Sequence, residues 1–256
     1  MFPSRVPING MTRLIQEVSS KLAALNALQL PDESVQQVRL LQLRRLARRI
    51  EASIPGHFEH GERTAFSALL LAKAIGLAEE QRTNLHYAAL LHDIGLLTLP
   101  GGFLNEVAPL TLDEYVLVQS HPRAGAALLS PYEFLSESAC LIAHHHERWD
   151  GAGYPYGLRG NYIPLSARIL SIADVFDAIS GRSESFDVAL STLRASSGTQ
   201  FDPDLLETFC VLLEDHNNRR PFLLRSSMST TIISPRATTS PSQPPGRSEN
   251  LTIGPP

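Results

Sequence analysis

Ala88-Ala-Leu-Leu-His-Asp-Ile-Gly95 sets His92 and Asp93 at the end of an otherwise apolar run, and the reading of that run decides the fold. Apolar residues over 80–94 recur at helical spacing, so a helix with one buried face is expected there. An ionised carboxylate at its end would be buried too. Left unpaired it would cost on the order of several kcal/mol, so Asp93 needs a cation. Asp174, inside Ala167-Arg-Ile-Leu-Ser-Ile-Ala-Asp-Val-Phe176, makes the same demand. Lys21 and Lys73 are the only lysines, and Arg168 sits nearly two helical turns before Asp174, whereas histidine is in surplus.

Working outward, helices are expected over about 61–75, 80–94, 112–120, 123–130, 136–146, 164–179 and 203–214. Thr111-Leu-Asp-Glu114 reads as a capping box, and Pro122 suits a first helical turn. Residues 11–50 hold two more helices, split by the turn Leu30-Pro31-Asp32-Glu33. Arg44, Arg45, Arg48 and Arg49 close the second and read as a solvated face. No alternating strand pattern occurs, so the class is all-α. Asp150 to Pro164, with four glycines, two prolines and three tyrosines, reads as a structured loop. The chain divides into a helical extension over 1–50, a domain over 51–214 and a Ser/Thr/Pro-rich tail over 215–256 that is expected to be disordered.

Composition narrows the function. A chain of 256 residues, 43% hydrophobic, can bury one substantial core. A formal charge of -4 offers no field for nucleic acid or anionic membrane, so a phosphate ligand must be held by local charge. Cys140 and Cys210 form no CxxC pair and read as buried free thiols, which removes a disulfide framework and a cysteine zinc site. With neither a secretory signal nor a bilayer-length apolar run, the protein reads as cytoplasmic.

What remains is a histidine and aspartate centre. His60, His92, Asp93, His121, His145, His146 and Asp174 are the candidate ligands. Imidazole and carboxylate without thiolate suit Fe, Mn, Zn, Ni or Co. The adjacent pair His145-His146 can diverge toward two ions, and Asp93, beside His92, is the natural bridge through its two oxygens. Two cations about 3.5–4 Å apart can activate water and neutralise the non-bridging oxygens of a phosphodiester, which is hydrolase chemistry.

His92-Asp-Ile-Gly95, His145-His-Glu147 and Asp150-Gly-Ala-Gly-Tyr-Pro155 together resemble the bacterial HD-GYP family, a branch of the HD-domain metal-dependent phosphohydrolases. The resemblance covers about 150 residues in order, through His121-Pro122, Ile163–Leu170, Asp174-Val-Phe-Asp177 and Gly198–Pro203. It implies an HD-domain helical bundle with the seven candidate ligands on the family's metal positions, and two divalent ions, iron or manganese. It further implies hydrolysis of cyclic di-GMP to the linear dinucleotide or GMP. The loop Gly153-Tyr154-Pro155 would meet partner proteins, including diguanylate cyclase (GGDEF) domains. His144 falls outside the pattern.

Three positions depart from the family. Leu96 stands where a lysine usually follows the His-Asp-Ile-Gly motif, and losing such an electrostatic group typically costs about 10²–10³ in rate. Gly56 stands where members with a third metal carry glutamate, so two ions are expected. Gly181-Arg-Ser-Glu-Ser-Phe186 replaces an Arg-Pro-Tyr-Arg-like segment that grips the dinucleotide, leaving Arg182 as one phosphate contact. The expectation is a cyclic di-GMP phosphodiesterase of weakened activity; the alternative is an impaired module that binds ligand or partner proteins. The N-terminal helices could serve a homodimer.

Overall fold

Leucine and alanine at three- and four-residue spacing, broken by Gly, Pro and Asp, make ten α-helices among the residues described by the computed structural model, which are 8–29, 31–54, 56–100, 111–181 and 185–219. They are α1 Ile8–Asn26, α2 Asp32–Glu51, α3 His60–Ala74, α4 Glu79–Leu91, α5 Leu112–Val118, α6 His121–Leu129, α7 Ser136–His144, α8 Leu165–Ser180, α9 Phe186–Arg194 and α10 Pro203–Arg219. No strand occurs among the described residues, in keeping with the all-α reading. Nor is any helix among them long and apolar enough to cross a membrane.

Helix α3 lies between α4 and α8, while α6 packs on α7 and on the 3-10 segment His92–Thr98 that follows α4. One hydrophobic cluster runs through the bundle. It takes in Leu14, Val18, Leu22 and Leu25 of α1 as well as Leu71, Leu91, Ile142, Leu170 and Phe209. The apolar face of α1 is thus part of the chain's own core. Of the expected solvated arginines, Arg44 pairs with Glu62 at 3.3 Å and Arg49 with Glu17 at 3.0 Å. Such exposed pairs contribute about 0–1 kcal/mol each and mainly fix how α2 sits on its neighbours.

Several expected boundaries shift. The helix read over 80–94 stops at Leu91, and His92 and Asp93 belong to the 3-10 segment instead. The cause is close packing: a Cβ on Gly95 would fall 2.0 Å from the carbonyl oxygen of His121, so the chain leaves α4 where it meets α6. Helix α9 had no counterpart in the sequence reading. Ser185 caps it by accepting from the Val188 amide at 3.3 Å, and Ala189, Leu190 and Leu193 bury its inner face. Helix α10 continues past 214 to Arg219; residues 220–256, read as a disordered tail, lie outside the described residues. Cys140 is exposed rather than buried, because it faces outward from α7, whereas Cys210 is buried and both are free.

Candidate metal centre

All the candidate ligands but Asp174 sit where a helix starts or ends. His60 opens α3, His121 opens α6, His145 and His146 follow α7, and Asp174 lies in the middle of α8. Glycines make the convergence possible. Gly95 and Gly125 bring the 3-10 segment against α6 backbone to backbone, and a Cβ on either would press on the other's amide. A Cβ on Gly61 would meet the carbonyl oxygens of Ala89 and Leu90 at 3.3 and 3.2 Å, so α3 closes on α4 just before His92.

Six of the seven predicted ligands form two triads whose donor atoms lie within 4.8 Å of one another, His60/His92/Asp174 and His121/His145/His146. In the first, the Nε2 atoms of His60 and His92 are 3.1 Å apart, and Asp174 Oδ1 is 3.1 and 3.5 Å from them. In the second, Nε2 of His121 and of His145 are 3.3 Å apart. The seventh residue, Asp93, stands between them. Its Oδ2 is 3.3 Å from His92 Nε2 and its Oδ1 is 3.5 Å from His121 Nε2.

The far nitrogens show what the near ones must be. Nδ1 of His92, His121 and His145 lies 2.9, 2.7 and 2.7 Å from the carbonyl oxygens of Ala89, Val118 and Ile142, each three residues back. A carbonyl only accepts, so Nδ1 donates and the Nε2 lone pairs point inward. Lone pairs converging at about 3 Å repel unless a cation sits among them. Such outer hydrogen bonds fix the ring orientation of metal-ligating histidines. The donor set therefore fits divalent ions.

Charge follows the same division. Burial holds the imidazoles of His121 and His145 below their ordinary value and pushes His146 down to about 4, so that triad is neutral and ready to ligate. On the other side burial also disfavours charge on His60, yet hydrogen bonds to Asp174 and Asp177 outweigh it and raise the ring to about 9. Burial would raise the carboxyls of Asp93 and Asp174, but the surrounding imidazoles hold both well below the usual range.

Three participants escaped the sequence reading. Asp177 accepts from His60 Nδ1 at 2.7 Å and from Arg63 Nε and Nη2 at 2.6 and 2.9 Å, so Arg63 and Asp177 together orient His60. Its spacing of three from Asp174 on α8 was the available signal. His57, three residues before His60, has its Nε2 3.1 Å from Asp93 Oδ2. Arg168 pairs with Asp202 at 2.5 Å and so is not Asp174's partner.

The Gly153-Tyr154-Pro155 loop folds inward. A Cβ on Gly153 would lie 2.3 Å from the Arg148 amide, the Tyr154 amide donates to His146 O at 3.2 Å, and the Tyr154 ring lies 4.9 Å from that of His146. Buried Glu147 accepts from the amides of Tyr156 and Leu158 at 2.7 and 2.9 Å, closing the loop. His144 stays outside, its Nδ1 donating to Cys140 O at 2.7 Å. Leu96 is buried in the core cluster. Gly56 has φ +81° with open space around it, a backbone that disfavours glutamate. Arg182 lies outside the described residues.

A model of the HD domain matches residues 44–205, more than half of the chain. The chain belongs to the HD domain family. The match takes in every candidate ligand and excludes most of α1 and α2. Among curated relatives, the cyclic di-GMP phosphodiesterase response regulator RpfG of Xanthomonas campestris is 44% identical over 63% of this chain and 44% of its own length. A 3'3'-cGAMP-specific phosphodiesterase 2 of Vibrio cholerae is 35% identical over 66% of this chain and 33% of its own. A cyclic di-GMP phosphodiesterase of Thermotoga maritima is 34% identical over 60% and 44%. The HD domain thus spans less than half the length of each of these relatives. Of solved structures, a cyclic GMP-AMP-specific phosphodiesterase of V. cholerae superposes with a TM-score of 0.58 at 24% identity, over 71% of this chain and 49% of that one. An HD-GYP-type protein from Bdellovibrio bacteriovorus does so with 0.56 at 19%, over 81% and 70%; at such identities the likeness is one of fold. The HD-GYP resemblance in the sequence is borne out by these relatives.

Proposed function

We propose that this HD domain is a metal-dependent phosphodiesterase acting on a cyclic dinucleotide, cyclic di-GMP in the first place, to give the linear dinucleotide or GMP. The observation that carries the reading is Asp93, which presents one carboxylate oxygen to each of two buried donor clusters. The names of the relatives supply the substrate class, with 3'3'-cGAMP as the second substrate to try.

Two divalent ions, iron or manganese, fit the imidazole and carboxylate donors; when bound, they supply an activated water and neutralise phosphate charge. The chain's own residues do the rest. His60, His92 and Asp174 would hold one ion and His121, His145 and His146 the other, with Asp93 placed between the two groups. Arg63 and Asp177 keep His60 aimed. Tyr154 closes one wall against His146, and by the resemblance to the HD-GYP family Arg182 would supply one phosphate contact. Tyr156 and Arg159 form the exposed side of the Gly-Tyr-Pro loop, so a GGDEF-domain partner would dock on those side chains. Two free cysteines and no disulfide among the described residues suit a reducing compartment, in line with the cytoplasmic reading.

Manganese-loaded protein incubated with cyclic di-GMP should release linear product, and His92→Ala or Asp93→Ala should abolish it. No product from a fully metallated preparation, with cyclic di-GMP or 3'3'-cGAMP, overturns the enzymatic reading. Leu96 favours a second one, a module that binds ligand or partners without turnover, because an apolar core residue stands where the family places a lysine. Calorimetry showing cyclic di-GMP binding in the absence of product would establish it.

A further inference from the structure

Donors that share one octahedral ion at about 2.1 Å lie about 3 Å from one another. The proposed ligands follow that spacing, with 3.1 Å between His60 and His92, 3.1 Å between His60 and Asp174, and 3.3 Å between His92 and Asp93. His57 follows it too, with its Nε2 3.1 Å from Asp93 Oδ2. Its ring meets that of His60 edge-on at 5.4 Å and 85°, much as His60 meets His92 at 4.9 Å and 63°. A water-sized cavity of about 10 Å³ has Glu51, His57, His60, His92 and Asp93 as its polar lining. The position is held by backbone: the His57 amide donates to Ile54 O at 3.3 Å, and the His60 amide donates to His57 O at 3.0 Å. Glu51 anchors the same turn by accepting from the amides of Glu59 and Gly61 at 3.0 and 2.7 Å.

We infer that His57 is a further protein ligand on the His60/His92/Asp174 side of the centre, which makes the two halves unequal. That side then has five protein donors, His57, His60, His92, Asp174 and Asp93 Oδ2. The other has four, His121, His145, His146 and Asp93 Oδ1. The side with fewer protein donors keeps room for a phosphate oxygen, so substrate binds over His121, His145 and His146, beneath Tyr154. The inference rests on the two-ion reading of the centre.

Mn²⁺ titration of the metal-free full chain by calorimetry, with manganese per chain counted after gel filtration, tests it. Wild type should bind two ions, whereas His57→Ala should keep one and bind the other at least 10-fold more weakly. His57→Gln should behave like His57→Ala, because an amide still donates a hydrogen bond to Asp93 but is a poor ligand. His57→Ala with wild-type affinity at both sites overturns the inference. So does full recovery in His57→Gln, which would make His57 a hydrogen-bond donor only. Wild type that binds fewer than two ions would instead overturn the two-ion reading itself. Circular dichroism of the metal-free variants identifies any loss of affinity that comes from misfolding.

Discussion

Asp177 never needs to touch an ion to matter. It holds His60 Nδ1 at 2.7 Å and is itself held by two bonds from Arg63. Outer partners of this kind typically govern metal affinity by about 10–100-fold. Asp177→Asn is therefore expected to weaken manganese binding by that factor in a calorimetric titration while leaving the metal-free fold intact. Gly95 carries a steric demand instead. A methyl there would sit 2.0 Å from His121 O and 2.7 Å from the Gly125 amide, both rigid backbone. Gly95→Ala should lower Tm and abolish tight binding together, because relieving the clash separates Asp93 from His121. At this scale the sequence was readable where a buried charge begs for a partner. All seven candidate ligands stood out on that ground or by resemblance. Asp177 did not, since an aspartate paired to an arginine on another helix looks like any surface carboxylate until the helices are placed. His57 hid for the opposite reason, as a lone histidine in a turn.

Among elements, α4 shows how burial alters pH dependence. Burial, with Arg44 nearby, holds the His86 imidazole down at about 4. In the unfolded chain it titrates near its ordinary 6.5, so between pH 6.5 and 4 the unfolded state binds the extra proton and stability falls as pH falls. In urea denaturation of metal-free protein, wild type should lose roughly 1–2 kcal/mol more than His86→Gln between pH 7 and pH 5. An equal loss in both proteins would show that His86 is not buried in solution. Element boundaries were the hardest part to read from sequence. Periodicity carries α4 smoothly into Ile94, and only the approach of α6 at Gly95 ends it at Leu91. Helix α9 was overlooked for its short length, although Ser185 followed by apolar residues at 186, 189, 190 and 193 was the pattern of a capped amphipathic helix.

In the molecule as a whole, one apolar cluster joins α1 and α2 to the helices that carry the ligands. The sequence division at residue 50 marks a change of motif, whereas packing runs straight across it. The candidate ligands come from α3, α6, α8, the turn after α7 and the 3-10 segment after α4, so ions bound by them would tie together parts of the bundle that the chain alone holds by packing. An ion present at 1,000 times its Kd stabilises the folded state by about 4 kcal/mol, and each kcal/mol shifts Tm by about 2–4 °C in a domain of this size. Adding a chelator should thus lower Tm by roughly 10 °C. The carbonyl bonds that lock Nδ1 of His92, His121 and His145 set a time scale as well. None of these three rings can swing aside without breaking its carbonyl bond, so departure of an ion held by them must wait for a helix end to unwind. Isotope exchange of bound manganese should therefore run at the pace of amide deuterium exchange at those helix ends, making residence time a property of the fold rather than of the coordination bonds.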